Sequence, residues 1–221
     1  MLEPDSAYKY IAKDYRETLM FCLFAALGIC IPILGVLLIT GLTIRVISNS
    51  INNADEIPKV FSNFGEDVLN GLKYLAFIVI LMIPFVAIFA GSFGSIIAAG
   101  MSGDAASIAS MMLSLGSLWI FVIILMAAYA LVVPALVANY AKEKKFSAFF
   151  EINKAFNLVF SNFAAYIKYV MISMLYSIVI SAVTGIISFT IIGPILLGFL
   201  SILIYGKNMG EWYKEVSGKS A

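Results

Sequence analysis

Residues Thr18 to Ile44 read TLMFCLFAALGICIPILGVLLITGLTI, 27 positions without a charge and with one proline, Pro32, near the middle. About 20 residues of helix cross a hydrocarbon core. The stretch therefore fits one long span kinked at Pro32. It also fits a hairpin of two short helices, 18–31 and 33–48, with Pro32 starting the second, since proline suits a first helical turn. The first arm of that hairpin, about 20 Å, is short for a core of about 30 Å, and needs bilayer thinning or extra turns from the amphipathic segment before it.

The same absence of charge returns three times. Between Lys73 and Asp104, Asp104 and Lys142, and Lys168 and Lys207 lie 30, 37 and 38 uncharged residues, so the four gaps hold 132 of 221. Apolar residues make up 62% and charged residues 12%, against about 45–50% and about 25% in soluble chains. An all-α, polytopic transmembrane bundle follows. The middle gaps give spans at 73–99 and 117–139, with Ala105 to Gly116 an outer connection or a protruding helix start. The last gap, about 57 Å as helix, exceeds one crossing. It breaks around Gly185 to Pro194 into spans at 164–187 and 190–206. One integral membrane domain, 1–221, thus carries six embedded segments, with five the alternative.

Charge bias decides for the hairpin. Of fourteen Lys and Arg, three precede the first run, three lie in 45–73, five in 142–168 and three after 206. A hairpin puts all fourteen on one side; a single span leaves three opposite eleven. The positive-inside rule prefers the former, which predicts a multi-pass plasma-membrane protein with both termini cytoplasmic.

Other classes are excluded by what is missing. A net charge of +1 gives no field for nucleic acid. Without histidine the commonest general base and metal ligand are gone. Cys22 and Cys30 lack zinc-type spacing and, about 12 Å apart on a helix, read as buried thiols. Met1-Leu2-Glu3-Pro4-Asp5 is acidic where a signal peptide is basic. No uncharged run conceals a carboxylate or lysine, which argues against ion-coupled transport. No catalytic, cofactor or metal residue is assigned, and no cofactor is implied.

Two connections read as amphipathic helices in the interface plane, over 58–72 and 146–163. In the first, Phe61, Phe64, Val68 and Leu72 make the apolar stripe, with Lys59, Ser62, Asn63, Glu66, Asp67 and Asn70 off it. In the second the stripe is Phe149, Ile152, Phe156, Phe160 and Phe163. They cap the bundle, or their phenylalanines meet lipid or a partner helix. The candidate lipid- or partner-binding residues are Phe61, Phe64, Phe149, Phe156 and Phe160, with Lys142, Lys144 and Lys145 facing anionic headgroups. Glu211-Trp212-Tyr213-Lys214 reads as an aromatic belt anchor. Small residues at i+4 spacing, Gly91 with Ser95 and Ser173-Ser177-Ser181-Gly185, suit close helix packing; a polar pathway is the other reading.

Val60-Phe61-Ser62-Asn63-Phe64 recurs unchanged as Val159-Phe160-Ser161-Asn162-Phe163. Each copy leads into a span and follows a span carrying one proline, Pro32 or Pro134. The order span, surface segment, span, used twice, describes a parallel repeat, unless five matches in a Phe-, Ser- and Asn-rich chain arose by chance.

The order of elements also resembles a known family. Ile31-Pro32-Ile33-Leu34-Gly35, Gly41-Leu42-Thr43-Ile44-Arg45, Glu56-Ile57-Pro58-Lys59-Val60-Phe61 and Asn70-Gly71-Leu72-Lys73 are similar to motifs of an uncharacterised prokaryotic, largely archaeal, membrane family, the domain of unknown function DUF 4013. Leu42 stands where that family has an aromatic, and Asn70 where it has aspartate. The resemblance supports the short first hairpin and implies no activity. Two functions are expected from the sequence. One is a non-enzymatic accessory or scaffold whose basic, aromatic cytoplasmic face binds membrane lipid, another membrane protein or a second copy. The other is a small passive transporter or export channel built from two parallel repeats.

Overall fold

The computed structural model describes residues 6–27, 32–54, 56–59, 62–102, 105–188 and 192–218. Every regular element among them is helical: α1 Ser6–Lys13, α2 Tyr15–Leu27, α3 Pro32–Ile51, α4 Phe64–Ser102, α5 Ala105–Glu143, a 3-10 turn Phe146–Phe150, α6 Ile152–Ser161, α7 Phe163–Ile186 and α8 Ile192–Ser217. Among the described residues, four helices are long and apolar enough to cross a membrane: α3, α4, α5 and α7. Pro32 does start a helix, as its fixed φ allows. Pro84 and Pro134 instead sit inside α4 and α5 without ending them.

The contacts divide the chain into two compact units, Met1–Leu75 with Val132–Ala221, and Ala76–Leu131. The second comprises the rest of α4 and the first part of α5. There Phe85 meets Tyr129 and Phe89 meets Trp119 edge to face, at centroid distances of 5.5 and 6.1 Å. Ile88, Phe89, Phe93, Ile96, Leu115, Leu118, Trp119 and Val122, with Ser92 alone polar, line a cavity of about 200 Å³ in this unit.

In the first unit α3 lies between α8 and the start of α4, and glycine makes both contacts possible. A Cβ at Gly41 would collide with the Asp67 carbonyl oxygen, and one at Gly71 with the Leu37 carbonyl oxygen. The two backbones touch reciprocally. On the other side, Gly206 faces Val46, and a Cβ on Gly210 would sit 2.5 Å from that of Ser50. Such small-residue crossings bring helix backbones together where lipid supplies no hydrophobic drive for association. Around them Leu42, Val46, Tyr10, Cys22, Ile57 and Leu203 form one buried cluster.

Several boundaries differ from the sequence reading. No separate helix covers 58–72: residues 56–59 have no helical hydrogen bonding, and α4 begins at Phe64 and runs unbroken through the expected span at 73–99. Of the two readings of Ala105 to Gly116, an outer connection or a helix start, the structure has the second, as the start of α5. The helix expected over 190–206 extends to Ser217.

Candidate functional site

The charged and aromatic residues singled out above gather in the first unit. Arg45, on α3, ends between α4 and the segment before it. Its Nη1 donates to Ser62 Oγ and its Nη2 to the Lys59 carbonyl, both at 2.8 Å. Nη2 also lies 2.9 Å from Asp67 Oδ2. Beyond this pair, Tyr140 Oη donates to Asn70 Oδ1 at 2.6 Å, and Tyr213 Oη to Asn139 Oδ1 at 2.5 Å. Asp67, Asn70 and Asn139 are all buried.

The polar positions of this segment divide, with Lys59, Ser62, Asn63 and Glu66 exposed. Its polar positions Asp67 and Asn70 are interior, while Phe64 and Leu72 are exposed. In water the apolar stripe would face the protein. In lipid the surroundings are as apolar as leucine, so polar groups gain most from facing one another.

The second aromatic stripe divides. Phe149 is fully buried, stacked on Tyr140 with centroids 4.1 Å apart, so it is core and not a lipid contact. It sits on the 3-10 turn, whose path rotates it away from the α6 face. Phe156 and Phe160 are 49% and 45% exposed and stack on each other at 4.1 Å. Ile152 and Phe163 continue their face. Ala155, Leu158 and Val159 on the opposite face are buried.

The lysines also part company. Lys142 is exposed and lies 5.6 Å over the Tyr213 ring; Lys145 is exposed. Lys144 ends α5 in the left-handed region, φ 59°, with its N–H on the Tyr140 carbonyl. Burial holds its ammonium below the ordinary lysine value, and Glu66 and Asp67 pull the other way. It faces the acidic start of α4 rather than open headgroups. Lys154 bonds both Glu143 and Glu151.

Trp212 and Tyr213, expected as an anchor, are each 1% exposed. Trp212 packs against Tyr166 and Tyr169. α8 runs on to Ser217 and carries them into the core beside the buried Val216.

Of the small residues, Ser173 and Ser177 do meet a neighbouring helix: Tyr205 on α8 hydrogen-bonds Ser177 Oγ and reaches the Ser173 carbonyl at 3.4 Å. Ser181 and Gly185 are exposed, and a Cβ on Gly185 or Gly91 would meet nothing within 4 Å. Phe61 and the Ser95 side chain lie outside the described residues. Gly41 and Gly71 stand in the motifs of the family resemblance, while Gly206 and Gly210 belong to no motif named above. Gly206-x-x-x-Gly210 was a legible signal.

The fold defines a class: an all-helical protein with several helices of membrane-spanning length and apolarity, and a polar core where α3, α4 and α5 meet. Residues 24–192 match the family model described as "Protein of unknown function (DUF4013)". The chain belongs to that family, as the motifs around Pro32, Arg45 and Gly71 implied. No curated protein and no solved structure matches it.

Proposed function

We propose that the chain is a non-enzymatic, multi-pass protein of the plasma membrane, with six embedded segments and both termini cytoplasmic. Its basic, aromatic cytoplasmic end associates with lipid and with a membrane partner, so that it acts as an accessory or scaffold. One observation carries this reading: α6 buries Ala155, Leu158 and Val159 and leaves Ile152, Phe156 and Phe160 outward. A helix with one face on protein and a second, aromatic face outward suits the boundary between headgroups and acyl chains. The short α2 beside α3, with Pro32 beginning the latter, supports the first hairpin.

Replacing Phe156 and Phe160 together with serine tests it. Membrane insertion should persist while lipid association and recovery of partners from native membranes fall. Unchanged recovery and unchanged lipid association would sink the proposal. Reporter fusions at the N-terminus, near Asn52 and near Gly103 should read inside, inside and outside; an N-terminus outside removes the hairpin and one segment.

The repeat reading has support of its own. Both copies of the echo end on the first residue of a helix, Phe64 of α4 and Phe163 of α7. In both, the carbonyl of the preceding asparagine accepts the first helical N–H, from Asp67 and from Tyr166, at 3.0 Å. Duplication supports a common ancestry of the two halves without requiring a conducting path.

A further inference from the structure

Next to the aromatic face of α6 lies a cleft of about 750 Å³, lined by Lys142, Lys154, Asn157, Ser161, Tyr213 and Ser217 and floored by Leu158. Three helices build it. Lys142 comes from the end of α5, Lys154, Asn157 and Ser161 from one face of α6, and Tyr213 and Ser217 from α8. Helical spacing puts that α6 face about a third of a turn from the one carrying Ile152, Phe156 and Phe160.

We propose that this cleft binds a phosphate-bearing anion, with Lys142 supplying charge and Lys154, Asn157, Ser161 and Ser217 supplying hydrogen-bond donors. The site deepens the lipid-associating role proposed above and rests on that reading for its position at the membrane boundary.

Two ammonium groups stand among the lining residues. Glu143 and Glu151 adjoin the cleft and pair with Lys154, which holds that ammonium in place and offsets its charge, so the charge offered to an anion falls to Lys142. Lys142 is held over the Tyr213 ring, and Tyr213 is itself fixed by donating to Asn139. The positive groups are therefore positioned before a ligand arrives, which lowers the ordering cost of binding. Charge-assisted hydrogen bonds to phosphate oxygens are about twice as strong as neutral ones. The adjoining aromatic face offers acyl chains a surface beside the headgroup.

Two sources carry this chemistry, an anionic phospholipid headgroup and a free phosphate ester. The full chain, purified in detergent, would be titrated with phosphatidylglycerol and with phosphatidylcholine, and lipid retention followed by native mass spectrometry. Phosphatidylglycerol should be retained in preference. Lys142→Gln should weaken its binding about fivefold, and Ser161→Asp, which puts a carboxylate at an exposed position of the cleft, should abolish the preference. Lys59→Gln, on the exposed surface outside the cleft, should leave it intact. Displacement of the lipid by glycerol 1-phosphate would identify the phosphate ester alone as sufficient; its failure to compete would identify the lipid as the source. If Lys59→Gln weakens binding as much as Lys142→Gln, or Ser161→Asp leaves the preference standing, the cleft is not the site. Those results leave the Phe156 and Phe160 experiment untouched, so the two ideas fail separately.

Discussion

Arg45 Nη2 stands 2.9 Å from Asp67 Oδ2, and the aspartate side chain is almost wholly closed to solvent. The pair joins α3 to the start of α4 beside the reciprocal contact of Gly41 and Gly71. Removing one member of a buried pair leaves the other charge uncompensated, which typically costs about 3–5 kcal/mol. Asp67→Ala and Arg45→Ala should each cause a large loss of stability in detergent. Arg45→Ala combined with Asp67→Ala should cost less than the two single losses together, because no stranded charge remains. A thermal unfolding series gives the coupling; additive losses would mean that the two charges do not act as a pair.

The glycines of α3 and α4 separate crossing from mere helix membership. Gly41→Ala and Gly71→Ala push a methyl into a neighbouring backbone carbonyl, which cannot move aside like a side-chain tip. Both should lower the yield of folded protein sharply. Gly91→Ala and Gly185→Ala meet open space. They should be neutral or stabilising by about 0.5–1 kcal/mol, the ordinary gain of alanine over glycine within a helix. Fluorescence-detected size exclusion of the four variants reads both effects, and equal behaviour of the two pairs would refute the close crossing.

The long apolar segments were legible because charge spacing alone delimits them: α7 at Phe163–Ile186 lies within a residue of the expected 164–187. Pro32 was legible as a helix start for its fixed φ. The polar core was not. Asp67 and Asn70 share one polar face with the exposed Asn63 and Glu66, and periodicity does not say which members of that face a neighbouring helix covers. Phe149 failed differently. Its spacing matches Phe156 and Phe160, but a tighter turn lies between them, and no single helical period spans the junction. Trp212 and Tyr213 looked terminal in sequence, yet α8 packs back along α3 and α7. The cleft draws residues from three separated helices, and no local motif links Lys142 to Ser161 or Ser217.

The different fates of the phenylalanines yield a paired test. Phe149 is enclosed by Tyr140, Tyr74 and Phe146. Phe149→Ala should cost about 3–5 kcal/mol, the usual loss for a buried aromatic. Phe156→Ala opens no cavity, since the ring is half exposed, and should change stability by less than about 1 kcal/mol. Unfolding in detergent measures both. Similar losses at the two positions would show that Phe156 is also covered by protein.

Tyr205 gives the last test, of how α7 is held to α8. Its hydroxyl serves both Ser177 Oγ and the Ser173 carbonyl, while its ring packs as phenylalanine would. Tyr205→Phe therefore removes the polar link and keeps the volume. Hydrogen bonds between membrane helices average about 0.6 kcal/mol, because the unpacked helices find other partners in the membrane. The substitution should cost about that much, and Ser177→Ala a similar amount. The double variant should cost no more than either single change, since both delete the same bond. Full additivity in the double variant would show that the two hydroxyls serve separate partners, and that the serine stripe packs by its small size alone.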